Sequence, residues 1–134
     1  PDAYQTRRIL QQFAEEERRI LLLAWMHRQI VGFGVLYPAS PYVHKRHRGQ
    51  IAVSVLSGHR RIGIGTMLVQ QLMHCAAKWE YEQIELELRR DNAAAAALYR
   101  QRGFSTCLVR EQGYKLPQGY TDALVMERRL DYIR

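Results

Sequence analysis

Apolar and polar residues alternate with two different periods along this chain, and the changes of period mark out its elements. Residues 4–17 carry Ile9, Leu10, Phe13 and Ala14 at helical spacing among Gln, Glu and Arg, which predicts an amphipathic helix. Two apolar runs follow, 20–26 and 30–37, separated by His27-Arg28-Gln29 and ended by Pro38; they predict an antiparallel hairpin. Beyond a polar stretch of Pro, Ser, His and Arg, residues 51–56 return to strand character and run into a glycine-containing segment. Residues 64–79 form the clearest helix, with Ile64, Leu68, Leu72, Cys75, Ala76 and Trp79 on one face, so that face is expected to pack on a sheet.

In the second half, Ile84, Leu86 and Leu88 alternate with Glu85, Glu87 and Arg89, the period of a half-buried strand over 83–90. Asp91 or Asn92 is placed to cap a helix over 93–102 that stops at Gly103. Strands are expected at 104–110 and 123–130, joined by a connection containing Gly and Pro. A hairpin followed by strand, helix, strand, helix and strand implies one mixed α/β domain, residues 1–134, around a partly antiparallel sheet.

Composition narrows the class without naming it. A chain of 134 residues that is 47% hydrophobic and 25% charged fits one domain with a core and does not fit a disordered segment. No apolar stretch approaches bilayer length and no charged segment followed by an apolar one opens the chain, so a soluble, cytoplasmic protein is expected. Cys75 and Cys107 lack metal-ligand spacing and read as reduced core or half-core residues; the histidines form no ligand set, so no metal is expected. The net charge of +7 suits a polyphosphate cofactor, an acidic substrate or nucleic acid alike. The densest basic run, His44 to Arg48, lacks interleaved aromatics and falls in an expected loop, so nucleic acid is not the expected partner.

The chemistry concentrates at Arg60-x-x-Gly63-x-Gly65-Thr66, between a strand and the best helix. Glycines at 63 and 65 remove side chains that would block an anion, the amides of the turn and helix start are donors, and Arg60 and Arg61 add charge. Taken alone, such a segment is as readily a tight strand-to-helix turn. It is neither a P-loop nor a dinucleotide fingerprint, because the residues those require are absent. Downstream, Asn92 and Tyr99 fall nearly on one helical face about two turns apart, where both can line one groove or Tyr99 can simply pack.

Arg60-x-x-Gly63-x-Gly65 resembles the pyrophosphate motif of the GNAT N-acetyltransferase superfamily. Asp91-Asn92-Ala93 through Leu98-Tyr99 to Gly103-Phe104 resembles that superfamily's second signature, at the expected distance. The resemblance covers about half of the chain and implies a GNAT-like mixed sheet flanked by helices, with acetyl-CoA as the acetyl donor. It implies that Arg60, Arg61, Ile62, Gly63, Ile64, Gly65 and Thr66, with Asn92, hold the cofactor. It further implies that the Val53 amide meets the thioester carbonyl, that Val55 contacts the pantetheine arm, and that Tyr99 protonates the departing thiolate. Transfer to a primary amine would be direct, since neither cysteine has a local histidine to activate it.

Two departures from the family pattern limit what the resemblance implies. Many relatives carry a Glu where this chain has Gln50, which cannot accept a proton at neutral pH, so Glu85, Glu87, His47 or a water chain are the alternatives for a general base. The chain also begins at Pro1 and at what corresponds to the second helix, so the first strand and helix of the fold are expected to be missing, lost or replaced by a homodimer partner. The tail, Tyr120-x-Asp122 to Met126, resembles that of members acting on small amines, amino acids or protein N-termini, with Tyr114, Tyr120 and Asp122 as possible pocket residues. The expected acceptor is a small molecule or amino acid; the alternatives are a peptide N-terminus, a lysine, a tRNA, or no reaction at all in a basic binding module.

Overall fold

The computed structural model describes the backbone of residues 5–9 and the whole of residues 18–59 and 63–130. Its elements are β1 Gln5–Ile9, β2 Ile20–Met26, β3 Gln29–Pro38, β4 Arg48–Val55, α1 Ile64–Lys78, β5 Gln83–Arg89, α2 Ala93–Gln101, β6 Ser105–Leu116 and β7 Gly119–Arg129. Among the described residues these strands form one seven-stranded sheet in the order β1-β2-β3-β4-β5-β7-β6. Every pairing is antiparallel except β4 with β5.

The hairpin of β2 and β3 turns at His27 and Arg28, both with positive φ (51° and 64°), the handedness that a two-residue hairpin turn requires. Pro38 pairs with Gly49 at the end of the β3–β4 ladder. That position exchanges no hydrogen bond, because the neighbouring Ala39 amide donates to the Arg48 carbonyl at 3.0 Å. A residue without an N–H is therefore tolerated there.

One face of the sheet carries the core. Leu22, Ala24, Val31, Leu36, Ile51, Ile84, Leu86 and Met126 are buried against Ile64, Leu68, Val69, Leu72 and Ala76 of α1. Each such fully buried Leu or Ile contributes about 1.5–3 kcal/mol, so α1 is held by this face far more than by its ends.

Two sequence expectations change. Gln5–Ile9 is a strand, not part of a helix over 4–17: it pairs with β2 from Gln5↔Trp25 to Ile9↔Leu21. That pairing satisfies the main-chain row on the outer edge of β2, a tertiary gain that local periodicity does not contain. A strand therefore does lie beside β2; residues 10–17 fall outside the described residues. At the other end, β6 and β7 run past the expected 104–110 and 123–130 and meet across Pro117-Gln118 alone. The side chains of β6 are almost all exposed, so its sequence has no buried face to impose a period of two. Cys107 is exposed on this strand, which corrects its reading as a core or half-core residue, whereas Cys75 is buried.

Candidate functional site

The parallel seam between β4 and β5 is short. It pairs Arg48↔Gln83, Gly49↔Ile84 and Gln50↔Glu85 and goes no further, although β4 continues to Val55 and β5 to Arg89. On its other side β4 is paired with β3 along its whole length, to Val55↔Gly32. Strand parity says which groups the opening exposes. Arg48 accepts from Ala39 and the Leu56 amide donates to Val31 at 2.7 Å, so the even-numbered residues of β4 turn their main-chain groups to β3. The odd-numbered ones, Val53 and Val55 among them, turn theirs towards β5. Beyond Gln50↔Glu85, Val53 has no strand partner on that side among the described residues.

The start of α1 stands beside this opening. Gly63 is the N-cap with φ 89° and ψ 0°, a left-handed conformation that favours glycine, and its carbonyl accepts from Met67 at 3.0 Å. The amides of Ile64, Gly65 and Thr66 thus lie in the first turn, where no intrahelical acceptor exists, and no acidic side chain occupies that turn. Gly65 also plays a part that its spacing does not suggest. A Cβ there would come 3.1 Å from Leu98 Cδ2 and 3.7 Å from Val55 Cγ2, so the missing side chain lets α2 and β4 close on α1. Arg60, Arg61 and Ile62 lie outside the described residues.

Leu98 brings α2 to the same place, and Tyr99 follows it. Tyr99 is 5% exposed, with its ring edge-on to Phe104 at 5.8 Å. Burial pushes its pKa up to about 12, so the hydroxyl keeps its proton throughout the neutral range. Asn92 stands at the start of the same helix. The Asn92 side chain caps α2, its Oδ1 accepting from the Ala95 amide at 3.1 Å, and the residue is exposed. Asn92 precedes the first helical residue, and its side-chain carbonyl serves the orphan amides of the helix start.

Of the possible bases, His47 lies at the closed end of the seam, where its carbonyl accepts from Glu82 and Gln83 at 2.8 and 3.1 Å. Glu85 is the last paired residue and is bound in an ion pair with Arg48. Glu87 stands past the point of divergence. Counting on from Gln50↔Glu85 places it level with Ala52 and places Leu88 level with Val53. Its only ion pair among the described residues is a long one, Arg110 Nε at 3.7 Å. Tyr114 faces it, its pKa raised by burial and then by the Glu87 charge. Tyr120 is exposed under Lys115, and both Asp122 oxygens are engaged by Arg90 and the Gln112 amide. In the sequence Glu87 is only one of two alternating acids; which one the seam leaves open is a matter of register.

No group of three or more His, Cys, Asp and Glu residues suited to a metal occurs among the described residues. No helix among them is long and apolar enough to cross a membrane.

The chain is similar to known acetyltransferases in sequence and in structure. The alanine N-acetyltransferase of ribosomal protein bS18 from Salmonella typhimurium is 35% identical over 74 residues, 55% of this chain and 50% of that protein. The chain spans about half the length of the sequence relatives it matches. The crystal structure of the ribosomal-protein-alanine N-acetyltransferase of Brucella melitensis, 28% identical, covers 87% of this chain and 72% of its own with a TM-score of 0.79. An acetyltransferase of Salmonella typhimurium solved with its cofactor acetyl-CoA gives 0.81 at 19% identity, over 88% of this chain and 68% of that one, a likeness of fold. The model of the Acetyltransferase (GNAT) family matches residues 1–104, the stretch that holds the opened seam, the start of α1 and Tyr99, and the chain belongs to that family.

Proposed function

We propose that this protein transfers the acetyl group of acetyl-CoA directly to a primary amine, and that the amine is the N-terminus of a polypeptide. The observation that carries the reading is the divergence of β4 from β5 after Gln50↔Glu85, which leaves the Val53 amide facing the gap beside the donor-rich start of α1. The amides of Ile64, Gly65 and Thr66, together with Arg60, Arg61, Ile62 and Gly63, suit the cofactor's pyrophosphate. Val53 then donates to the thioester carbonyl as charge develops on it, and Val55 meets the pantetheine arm. Asn92 contributes by fixing the start of α2, not by reaching the cofactor.

The protons move at two sites. Glu87, on the opposite face of the sheet from the core, takes one from the attacking amine, and Tyr99, on the core side, gives one to the sulfur that leaves. A carbonyl held between them needs no acyl-enzyme, and neither cysteine is placed to form one: Cys75 is buried, while burial and the charges of Glu127 and Glu85 raise the Cys107 pKa. The names of the relatives favour a polypeptide N-terminus over the small amine that the tail suggests.

The test is thiol release from acetyl-CoA with three acceptors: a peptide with a free N-terminal alanine, the same peptide N-acetylated but carrying a free lysine, and a free amino acid. Turnover is expected with the first. Turnover confined to either of the others moves the acceptor, and absence of acetyl-CoA binding by calorimetry overturns the reading.

A further inference from the structure

The β6–β7 ladder slips in its middle. Arg110 pairs with Ala123 and Tyr114 with Thr121, so Glu111, Gln112 and Gly113 of β6 face Asp122 of β7 alone. A ladder continued without the slip from Arg110↔Ala123 would set Gln112, not Tyr114, opposite Thr121. The side-chain alternation survives, so Tyr114 keeps to the face where Glu87 stands, and the slip sets it two residues nearer to Val125, the β7 partner of Glu87.

Three features hold the bulge open. Gln112 has φ 53°, a left-handed conformation unfavourable for its side chain. A Cβ on Gly113 would lie 2.6 Å from the Cβ of Ala123, so no other residue fits without displacement. Asp122 ties the bulge to the sheet: its Oδ1 accepts from the Gln112 amide at 3.0 Å and its Oδ2 from Arg90 Nη1 at 3.2 Å. The Arg90 amide also donates to the Asp122 carbonyl at 2.9 Å, which anchors the same residue to the end of β5, the strand of Glu87. A carboxylate that accepts a main-chain amide is a strong and directional clamp.

We propose that Asp122 is a positioning residue that, by holding this bulge, aims Tyr114 at the acceptor side of the opening beside Glu87. The inference rests on the acetyltransferase reading above. It assigns capture of the acceptor amine to a device two strands away from the cofactor cleft.

The experiment is steady-state kinetics with the alanine-headed peptide, together with calorimetric binding of acetyl-CoA. Asp122→Ala is expected to raise the acceptor KM about tenfold while kcat and acetyl-CoA affinity stay within about twofold. Gly113→Ala attacks the same bulge from a different residue and is expected to do the same. Asp122→Asn keeps an oxygen for the Gln112 amide and is expected to recover a near-normal KM. In a Tyr114→Phe background, itself raised in KM, the first two substitutions are expected to add nothing further. Additive effects in that background overturn the proposal, as does a loss of acetyl-CoA affinity in Asp122→Ala and Gly113→Ala alike, since both then merely hold the fold. Absence of turnover by the unmodified protein with any amine overturns the functional reading instead, and so is told apart from these.

Discussion

The two edges of β4 behave oppositely. Towards β3 the strand is paired at every residue from Gly49 to Val55, whereas towards β5 it is paired only from Arg48 to Gln50. The closed end of the second edge is densely tied. Arg48 meets Glu85, His47 accepts from two successive amides, and the Arg18 guanidinium lies 4.2 Å above the ring of the fully buried Tyr81. The open end has the start of α1, the Leu98 contact and Tyr99 around it, with Val53 paired to Gly34 of β3 but to no described residue of β5. The same strand thus supplies rigidity through one edge and donors through the other. A cleft made in this way keeps its shape when empty, because the strand that lines it is fixed from behind.

The sharpest way to break that comparison is proline, which removes an N–H and little else where φ allows it. Val53→Pro deletes a donor that faces the gap, so the protein is expected to remain folded and to bind acetyl-CoA while kcat falls about 100-fold or more. Ala52→Pro removes an amide that belongs to the β3 ladder, leaves an acceptor of Val35 unpaired, and is expected to lower stability by at least 1–3 kcal/mol, roughly. Thermal melts and kinetics on the two variants decide. Equal damage to folding in both would mean that the edges are not distinct.

A second substitution tests the core side of the open end. Tyr99→Phe is expected to cut kcat by about 100-fold with little change in cofactor affinity, as for loss of a general acid. The buried hydroxyl also makes a separate, signed prediction. Its pKa is 10.0 in the unfolded chain and about 12 in the folded one, so the stability linked to it is complete below pH 10 and is lost as pH rises through about 12. The loss amounts to roughly 2–3 kcal/mol. Urea titrations between those pH values should show a flatter decline for Tyr99→Phe than for the unmodified protein, and parallel curves would place the hydroxyl in contact with water.

The acid on the other face comes next in size. Glu87→Gln is expected to lower kcat/KM by about 10- to 100-fold at neutral pH, while Glu85→Gln leaves it in place. An effect of Glu85→Gln as large as that of Glu87→Gln would move the base back into the closed seam.

What the residues alone disclose of this arrangement follows from the range of the forces involved. The hairpin, α1, β5 and α2 are legible because each carries a period imposed by one buried face, and Gly63 is legible because its backbone requires a glycine. Tyr99 stands out only through its place in the signature that runs from Asp91 to Phe104, at the expected distance from the glycine segment. The strand at Gln5–Ile9 is not legible, since what makes it a strand is the edge of β2. Gly65 and Asn92 each have a structural role that composition cannot show: Leu98 packs where a side chain on one would stand, and the side chain of the other accepts from the Ala95 amide. The opening is legible only through the family resemblance that gives Val53 and Val55 their roles: nothing in the pattern of Ile51 to Val55 or Leu86 to Arg89 marks where the two strands part. Register decides it, and register depends on α1, β3 and β7 together.

The smallest effect is expected at the closed end, where the comparison predicts stability without chemistry. Arg18 stacks on Tyr81, donates to the carbonyls of Arg46 and Trp79 at 2.6 and 3.4 Å, and accepts from the Tyr81 hydroxyl through its own carbonyl at 2.9 Å. The side chain is half-buried, so water competes for its contacts, and the main-chain acceptor survives any substitution. Arg18→Ala is therefore expected to cost only about 1–2 kcal/mol in urea unfolding, with kcat and both KM values unchanged. Tyr81→Phe, which also gives up the bond to the Arg18 carbonyl, is expected to cost a similar amount. A change in turnover for either variant would show that the closed end transmits strain along β4 to Val53, and that the rigidity of one end is a condition for the chemistry at the other.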